Sequence, residues 1–256
     1  LQQTQASRIA ERLPLFLEQF PTLPHLAAAS NSQMIRAWRG LGYNSRALRL
    51  RDAARAIVER HDGVVPSSIE TLRALPGLGP YTAAAIACFA YGKRVVVMDV
   101  NVRRVYSRLA VQQVLTSDVL DNHRLDAFAQ SIIPARSSAD WHHAVMDLGA
   151  TVCTARSPQC TQCPLSQHCP SKGALRYVPK QKRTEPSFRG EPNRLWRGRI
   201  VDVLRTAHKG VTQRGLFATI TGTRLDNTDD AAWLQGIIAA LRRDGIVHPT
   251  RLELAD

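Results

Sequence analysis

Acidic side chains are few: 21 Asp and Glu stand against 34 Lys and Arg, a formal charge of +13. That imbalance disfavours a basic partner and implies an acidic one, of which nucleic acid is the simplest. Long apolar runs are missing, and no stretch approaches the length that a membrane-spanning helix needs. No secretory leader is visible, although the chain opens at Leu1 rather than at a methionine. Cysteine is also rare. Of five in the chain, four crowd between Cys153 and Cys169, and a disulfide reading of them would need an oxidising compartment that a chain without a leader does not suggest. What is present is ordinary globular material: 256 residues, 44% of them hydrophobic, enough for one large core or two to three small ones.

The chemistry is concentrated between Leu72 and Arg108. Leu75-Pro76-Gly77-Leu78-Gly79-Pro80 reads as a tight turn between two helices, because Pro76 cannot continue a helix and the two glycines allow positive φ. The second helix, Tyr81 to Tyr91, is rich in alanine and can pack closely on the first. A turn bare of side chains at a helix N-terminus directs the amides of Gly77, Leu78 and Gly79 outward, where they bind phosphate without reading sequence. Downstream, Arg94-Val95-Val96-Val97-Met98 runs into Asp99, and a helix restarts at Val100-Asn101-Val102. An acid at such a place commonly caps the helix. Asn101 can cap as well, which leaves Asp99 free at the edge of an apolar segment with Arg103 and Arg104 close by.

Cys153, Cys160, Cys163 and Cys169 are separated by six, two and five residues. Structural zinc usually takes two Cys-x2-Cys knuckles or enlists histidines, whereas this loop has one short knuckle and two wider arms. Four thiolates on one continuous loop suit an iron-sulfur cube, with zinc as the alternative. Arg156 and Lys172 flank the ligands and suit a phosphate contact, balance of the cluster's negative charge, or both. Cys88, among Ala and Phe, reads as a buried and inert thiol.

The rest reads as helices and one linker. Ile9, Leu13, Phe16 and Phe20 recur at helical spacing, and Met34, Ile35 and Trp38 mark a second helix. Leu50, Ala53, Ala54 and Ile57 give an amphipathic helix from Arg46 to Arg60 whose other face is strongly basic, toward phosphates or water. Leu120, Leu125, Phe128 and Ile132, then Trp141, Val145, Leu148 and Val152, mark two more ahead of Cys153. Residues 170–193 combine four prolines with a Lys180-Gln181-Lys182-Arg183 run and almost no apolar periodicity, and read as a basic linker. Three short helices and an alternating end follow, a winged-helix-like pattern.

In this order and register the motifs of residues 1–173 resemble the helix-hairpin-helix glycosylase superfamily of endonuclease III and MutY. Leu1-Gln2-Gln3-Thr4-Gln5, Gly40-Leu41-Gly42-Tyr43 and Gly79-Pro80-Tyr81-Thr82 look most like the MutY-type adenine glycosylases, in a short bacterial form whose tail has no room for a Nudix-like domain. The resemblance implies an all-α helix-hairpin-helix glycosylase fold with an iron-sulfur cluster loop and a small C-terminal winged-helix-like domain. The expected organisation is a six-helix domain over 1–93 with an incomplete N-terminus, an iron-sulfur domain over 94–173, the linker over 174–193 and the winged-helix-like domain over 194–256. The cysteine spacing matches the family's cluster loop and implies a 4Fe-4S cofactor. Duplex DNA with a mismatched or damaged base pair is the implied partner, for a monomer in the bacterial cytoplasm, associated with the nucleoid and not with a membrane.

By resemblance, Gln2 and Gln3 enter the base stack and Tyr43 is the wedge beside the lesion, while Asn44 stands where relatives have a second aromatic. Asp99 is the carboxylate that stabilises a cationic sugar. Tyr81 replaces the lysine with which endonuclease III forms a Schiff base, so simple hydrolysis to an abasic site is expected, with Tyr81 positioning Asp99 or stacking near the pocket. In relatives the general acid is a Glu shortly before the Leu-Gln-Gln-Thr motif. Here it would precede Leu1, and the chain is expected to be a fragment of a complete enzyme. The expected base is adenine opposite guanine or 8-oxoguanine. Val100, where most MutY proteins have Gly, keeps a thymine or uracil mismatch glycosylase open, and the missing Glu keeps open a non-catalytic DNA-binding protein with a structural metal loop.

Overall fold

The structure, a computed structural model, describes residues 4–110, 122–173, 185–207 and 210–256. The chain divides into two compact units, one of Leu1–Val65, Leu75–Gly77 and Arg183–Asp256, the other of Pro66–Ala74 and Leu78–Lys182. These bounds differ from the four segments read from the sequence.

The first unit opens with α1 (Ala6–Gln19), α2 (Leu23–Ala28), α3 (Asn31–Ala37) and α4 (Ser45–Arg60). Thr22 and Ser30 cap α2 and α3 through their hydroxyls, and Ser30 and Gln33 form a reciprocal capping box. Ala47, Leu48, Ala53, Ala54 and Ile57 of α4 are buried where it packs on α2 and α3. Leu50 is 39% exposed, so the apolar stripe is rotated from the one expected. The basic face is also a correction. Arg51 is buried and bonds to Asn31 and Asp52, Arg55 donates to the Ala27 carbonyl at 2.6 Å, and Arg46 turns to the preceding loop. These arginines satisfy carbonyls and side chains inside the unit, where their long stems also cover apolar surface.

The second unit contains α5 (Ile69–Arg73), α6 (Pro80–Phe89), α7 (Val100–Ala110), α8 (Asn122–Ile132) and α9 (Ser138–Asp147), with one π-helical turn, Leu148–Val152, continuing α9. Leu120, read as the start of α8, lies outside the described residues. Val102, Val105, Tyr106, Leu125, Ala129 and Val145 make the main core, closed by a hydrogen bond from Trp141 Nε1 to the Tyr106 hydroxyl at 2.9 Å. Ala84, Cys88 and Val97 make a smaller one. Cys88 is free and buried, as expected.

The chain then re-enters the first unit. Strand β1 (Ser187–Phe188) pairs antiparallel with β2 (Glu191–Pro192) around Arg189 and Gly190, both at positive φ (50° and 78°). The end of the expected linker is therefore folded: Phe188 stacks on Trp233 with ring centroids 3.6 Å apart. One half-buried aromatic in so short a hairpin leaves no periodic trace in a sequence. Residues 174–184, with the Lys-Gln-Lys-Arg run, lie outside the described residues. Helices α10 (Asn193–Thr206), α11 (Gln213–Thr221) and α12 (Thr228–Arg243) lead to an antiparallel bridge between Val247 and Leu254. Their Trp196, Ile200, Leu204, Phe217, Leu234 and Ile238 share one core with Met34, Ile35 and Leu48. Residues 194–256 thus bury their apolar faces against the first helices. Among the described residues no helix is long and apolar enough to cross a membrane.

Candidate active site and metal centre

Asp99 starts α7. Its Oδ1 accepts from the Val102 N–H at 2.6 Å and its carbonyl from the Arg103 N–H at 2.9 Å, so Asp99 is itself the N-cap. Asn101 is not an alternative cap, because it already lies inside the first turn of α7, two residues past the cap position. Its Oδ1 instead accepts from Arg104 Nη2 at 2.8 Å, and its Nδ2 lies 3.5 Å from Asp99 Oδ2. The expectation of a free Asp99 is therefore half corrected: Oδ1 is engaged, while Oδ2 keeps acceptor capacity at the helix end that attracts anions. Tyr81, in the first turn of α6, is 42% exposed. Burial raises its phenol above the usual range and the charge of Asp99 raises it further, so the hydroxyl stays protonated and able to donate.

In the turn before α6, Gly77 sits at φ +75°, and a Cβ there would stand 2.7 Å from Arg49 Cβ, so conformation and space both demand glycine. Gly79 does not use that freedom. It is the N-cap of α6 at φ −78°, without a side-chain cap, and nothing lies within 4 Å of where its Cβ would be. Positive φ, expected of both glycines, belongs to Gly77 alone, and the role of Gly79 is to leave the head of α6 bare beside Leu78.

In the first unit, Gly40, Gly42 and Tyr43 all have positive φ (83°, 68° and 46°). For tyrosine this is a strained backbone. The side chain is 58% exposed, and Arg46 braces the turn beneath it. Arg46 donates to the Leu41 and Gly42 carbonyls at 2.9 and 3.2 Å and to Thr4 Oγ1 at 2.6 Å, with its guanidinium 5.6 Å from the Tyr43 ring centre. Asn44 accepts from the buried Arg205 at 2.7 Å, which gives the unexpected residue at this position a structural partner. Gln2 and Gln3 lie outside the described residues.

Cys153, Cys160, Cys163 and Cys169, none of them in a disulfide, line one cavity with Arg108, Pro158, Gln159 and Lys172. Cys153 leaves the π turn with its N–H on the Leu148 carbonyl at 2.6 Å. Arg108, buried on α7, donates to Cys153 Sγ at 3.1 Å and to the Thr154 carbonyl at 2.9 Å, and its own carbonyl accepts from Ser171 Oγ at 2.9 Å. Arg104 donates to the carbonyls of Cys153 and Gly149 at 2.8 and 2.5 Å. Gly149 permits this approach, since a Cβ on it would meet Asn101 Cβ at 2.8 Å. Burial pushes the Cys169 thiol up and the three neighbouring cysteines push it further, a repulsion that a cationic centre removes. Among the described residues no three His, Cys, Asp or Glu side chains close on the position of a single ion. Four thiols around one cavity, with an arginine N–H on a sulfur, fit a polynuclear iron-sulfur cluster. Arg156 is exposed on the loop, and Lys172 lines the cavity itself.

The family profile described as HhH-GPD superfamily base excision DNA repair protein matches residues 1–119, and the iron-sulfur binding domain of endonuclease III matches residues 153–169. An adenine DNA glycosylase of Mycolicibacterium smegmatis is 42% identical over 98% of this chain and 82% of its own. The chain belongs to the HhH-GPD superfamily. An adenine DNA glycosylase of Mycobacterium tuberculosis is 41% identical over 91% of this HhH-GPD chain and 72% of its own, and the human one 39% over 75% and 35%. Among solved structures, a thermostable thymine-DNA glycosylase (TM-score 0.61, 26% identity) and a non-covalent endonuclease III–DNA complex (TM-score 0.58, 25% identity) each align over 66% of this chain and 78% of their own. The cysteine loop is a 4Fe-4S site.

Within this HhH-GPD fold, α7 carries Asp99 at its head and Arg104 and Arg108 against the cysteine loop, so one helix joins the candidate carboxylate to the cluster. Tyr81, Leu78 and Gly79 head α6 in the same unit, whereas Tyr43 stands in the other. Arg108 and Gly149 are not singled out by the sequence reading. Their sequence signals are weak: an arginine at core phase in its helix, and a glycine inside a helical pattern just ahead of the first cysteine.

Proposed function

We infer that this protein is a monofunctional DNA glycosylase of base excision repair that hydrolyses the N-glycosidic bond of adenine mispaired with guanine or 8-oxoguanine, leaving an abasic site. One observation carries the reading: the first turn of α6 presents Tyr81, a phenol, where a strand-cleaving relative needs a lysine amine. When the C1′–N bond breaks, its electron pair leaves with the base, which must gain a proton, and positive charge spreads over the sugar. Asp99 Oδ2 stabilises that charge while the Val102 N–H fixes the carboxylate through Oδ1. Water then adds at C1′ and loses a proton. Tyr81 positions Asp99 and offers no amine for a Schiff base. A general acid must supply the proton that the departing base gains.

Adenine must first leave the stack, at a cost of a few kcal/mol. Tyr43, held out on its braced turn, is the wedge, and Gln2 and Gln3 fill the vacated space. The amides of Gly77, Leu78 and Gly79, with Arg156 and Lys172, grip the backbone phosphates. The cluster, when bound, supplies a covalent crosslink that orders the loop bearing Arg156. The protein acts as a monomer in the nucleoid.

A thymine or uracil mismatch glycosylase is the second reading, favoured by Val100 after Asp99 and by the likeness to a thymine-DNA glycosylase. The test incubates the protein, with and without the family's glutamate-bearing segment joined ahead of Leu1, with A:8-oxoguanine, A:G, G:T and G:U duplexes, followed by alkali. Strand breaks at adenine that appear only after alkali are expected. Breaks confined to G:T or G:U move the assignment to the second reading, and breaks before alkali overturn monofunctional chemistry. Binding without any cleavage leaves a DNA-binding protein.

A further inference from the structure

We propose that His142 is a positioning residue for Asp99, acting through the backbone of Val97; this rests on the catalytic assignment of Asp99 above. The stretch from Gly92 to Asp99 belongs to no helix or strand, yet it delivers the carboxylate. Val97 at its centre is fully buried. A buried amide outside regular structure must find an acceptor elsewhere, and the Val97 N–H donates to His142 Nε2 at 3.0 Å. On the other side of the same ring, Nδ1 lies 2.7 Å from the Ser138 carbonyl. A carbonyl only accepts, so Nδ1 carries the proton, Nε2 is the bare acceptor, and the ring is neutral. Burial works in the same direction, holding His142 below the ordinary histidine range.

His142 and Ser138 are both buried and lie one turn apart on α9. The ring's other polar neighbours are the Cys88 thiol, 3.8 Å from Nδ1, and His143, the next residue on the same helix. Neither replaces Nε2 as the acceptor for Val97. Asp99 is thus held from two directions, by its own cap bond to Val102 on the C-terminal side and by the Val97–His142 bond two residues before it. Full burial removes His142 from contact with substrate, so its effect on the reaction passes through this bond alone.

A displacement of about 1 Å in a catalytic group costs on the order of 100-fold in rate, so loss of the acceptor should be visible in the chemical step. The informative pair is His142→Gln, whose Oε1 reaches the place of Nε2, and His142→Met, of similar length without a strong acceptor. On the duplex that the wild type cleaves, single-turnover excision by His142→Met is expected to fall about 30-fold, and by His142→Gln less than about threefold. Affinity for the same duplex carrying an uncleavable substrate analogue should change little in either. Amide hydrogen exchange over residues 93–99 should quicken about tenfold or more in His142→Met but not in His142→Gln, with α6 and α9 unchanged. The exchange measurement does not depend on which base is excised. A wild type that releases no base sinks the functional reading and leaves exchange to decide this one. Equal excision and exchange in folded Met and Gln variants overturn the proposal, as does exchange that quickens alike over 93–99, α6 and α9. Should His142→Met not fold, a folded His142→Gln that has lost more than about tenfold of its excision rate overturns it, and one that keeps its rate supports it.

Discussion

Asp99 caps α7 with one oxygen, while the other, 3.5 Å from Asn101 Nδ2, keeps the acceptor capacity that the proposed chemistry needs. The combination separates charge from stability. Asp99→Asn keeps a good cap and is expected to change stability by less than about 0.5 kcal/mol while abolishing base release, whereas Asp99→Ala loses both and costs about 1 kcal/mol. Thermal unfolding and single-turnover excision read the two quantities separately, and a folded Asp99→Asn with full activity removes the catalytic assignment. Gly149 provides a second test at this scale. A methyl there must displace Asn101, 2.8 Å away, or the α7 backbone just beyond it, with overpacking worth about 1–3 kcal/mol. Because Asn101 adjoins Asp99, excision by Gly149→Ala should fall more than the stability loss alone accounts for at a temperature where the variant remains folded. Stability loss with an unchanged rate would confine Gly149 to packing.

The elements that matter most are α7 and the cysteine loop, which α7 grips through Arg104 and Arg108. The loop has almost no regular structure of its own beyond turns, so its order depends on those two arginines and on the metal centre. Protein purified without oxygen should therefore be brown, absorb near 400 nm as iron-sulfur proteins do, and contain about four iron atoms per chain. Cys160→Ser is expected to lose both the colour and solubility. Stoichiometric zinc in place of iron would overturn the cluster, a reading that the spacing of the thiols already disfavours. The basic face of α4 gives the opposite lesson, since Arg46, Arg51 and Arg55 are engaged inside the first unit. A run of arginines on a helix is by itself poor grounds for a phosphate contact.

For the whole molecule, the net charge of +13 is the relevant quantity. If the hairpin amides, Arg156, Lys172 and the basic run together neutralise about six phosphates, the logarithm of affinity for undamaged duplex should fall with the logarithm of salt at a slope of about −5. Filter binding or anisotropy over a salt series measures it, and a slope near zero would mean that the charge serves something other than DNA. Substitution of Arg205 bears on the first unit rather than on this slope. That side chain leaves α10 to bond the Ile35 carbonyl and Asn44, so the C-terminal helices are part of the support of the Tyr43 turn.

Local chemistry was legible in the sequence wherever covalent structure or spacing decides it. A Pro-Gly-x-Gly turn breaks one helix and opens the next, four cysteines on one loop define a metal centre, and an excess of arginine defines the sign of the surface whatever the packing. Helix positions followed from apolar periodicity, though on α4 the stripe was rotated because Leu48, not Leu50, meets the core. Only tertiary structure decided which polar groups find each other, because those partners lie far apart in the chain and nothing local records them. It placed a histidine of α9 on the Val97 amide, an arginine of α7 on a cysteine sulfur, and an arginine of α10 on Asn44. It also drew residues 194–256 into the core of the first helices, since the apolar faces of short helices are buried against whatever complementary surface the fold presents.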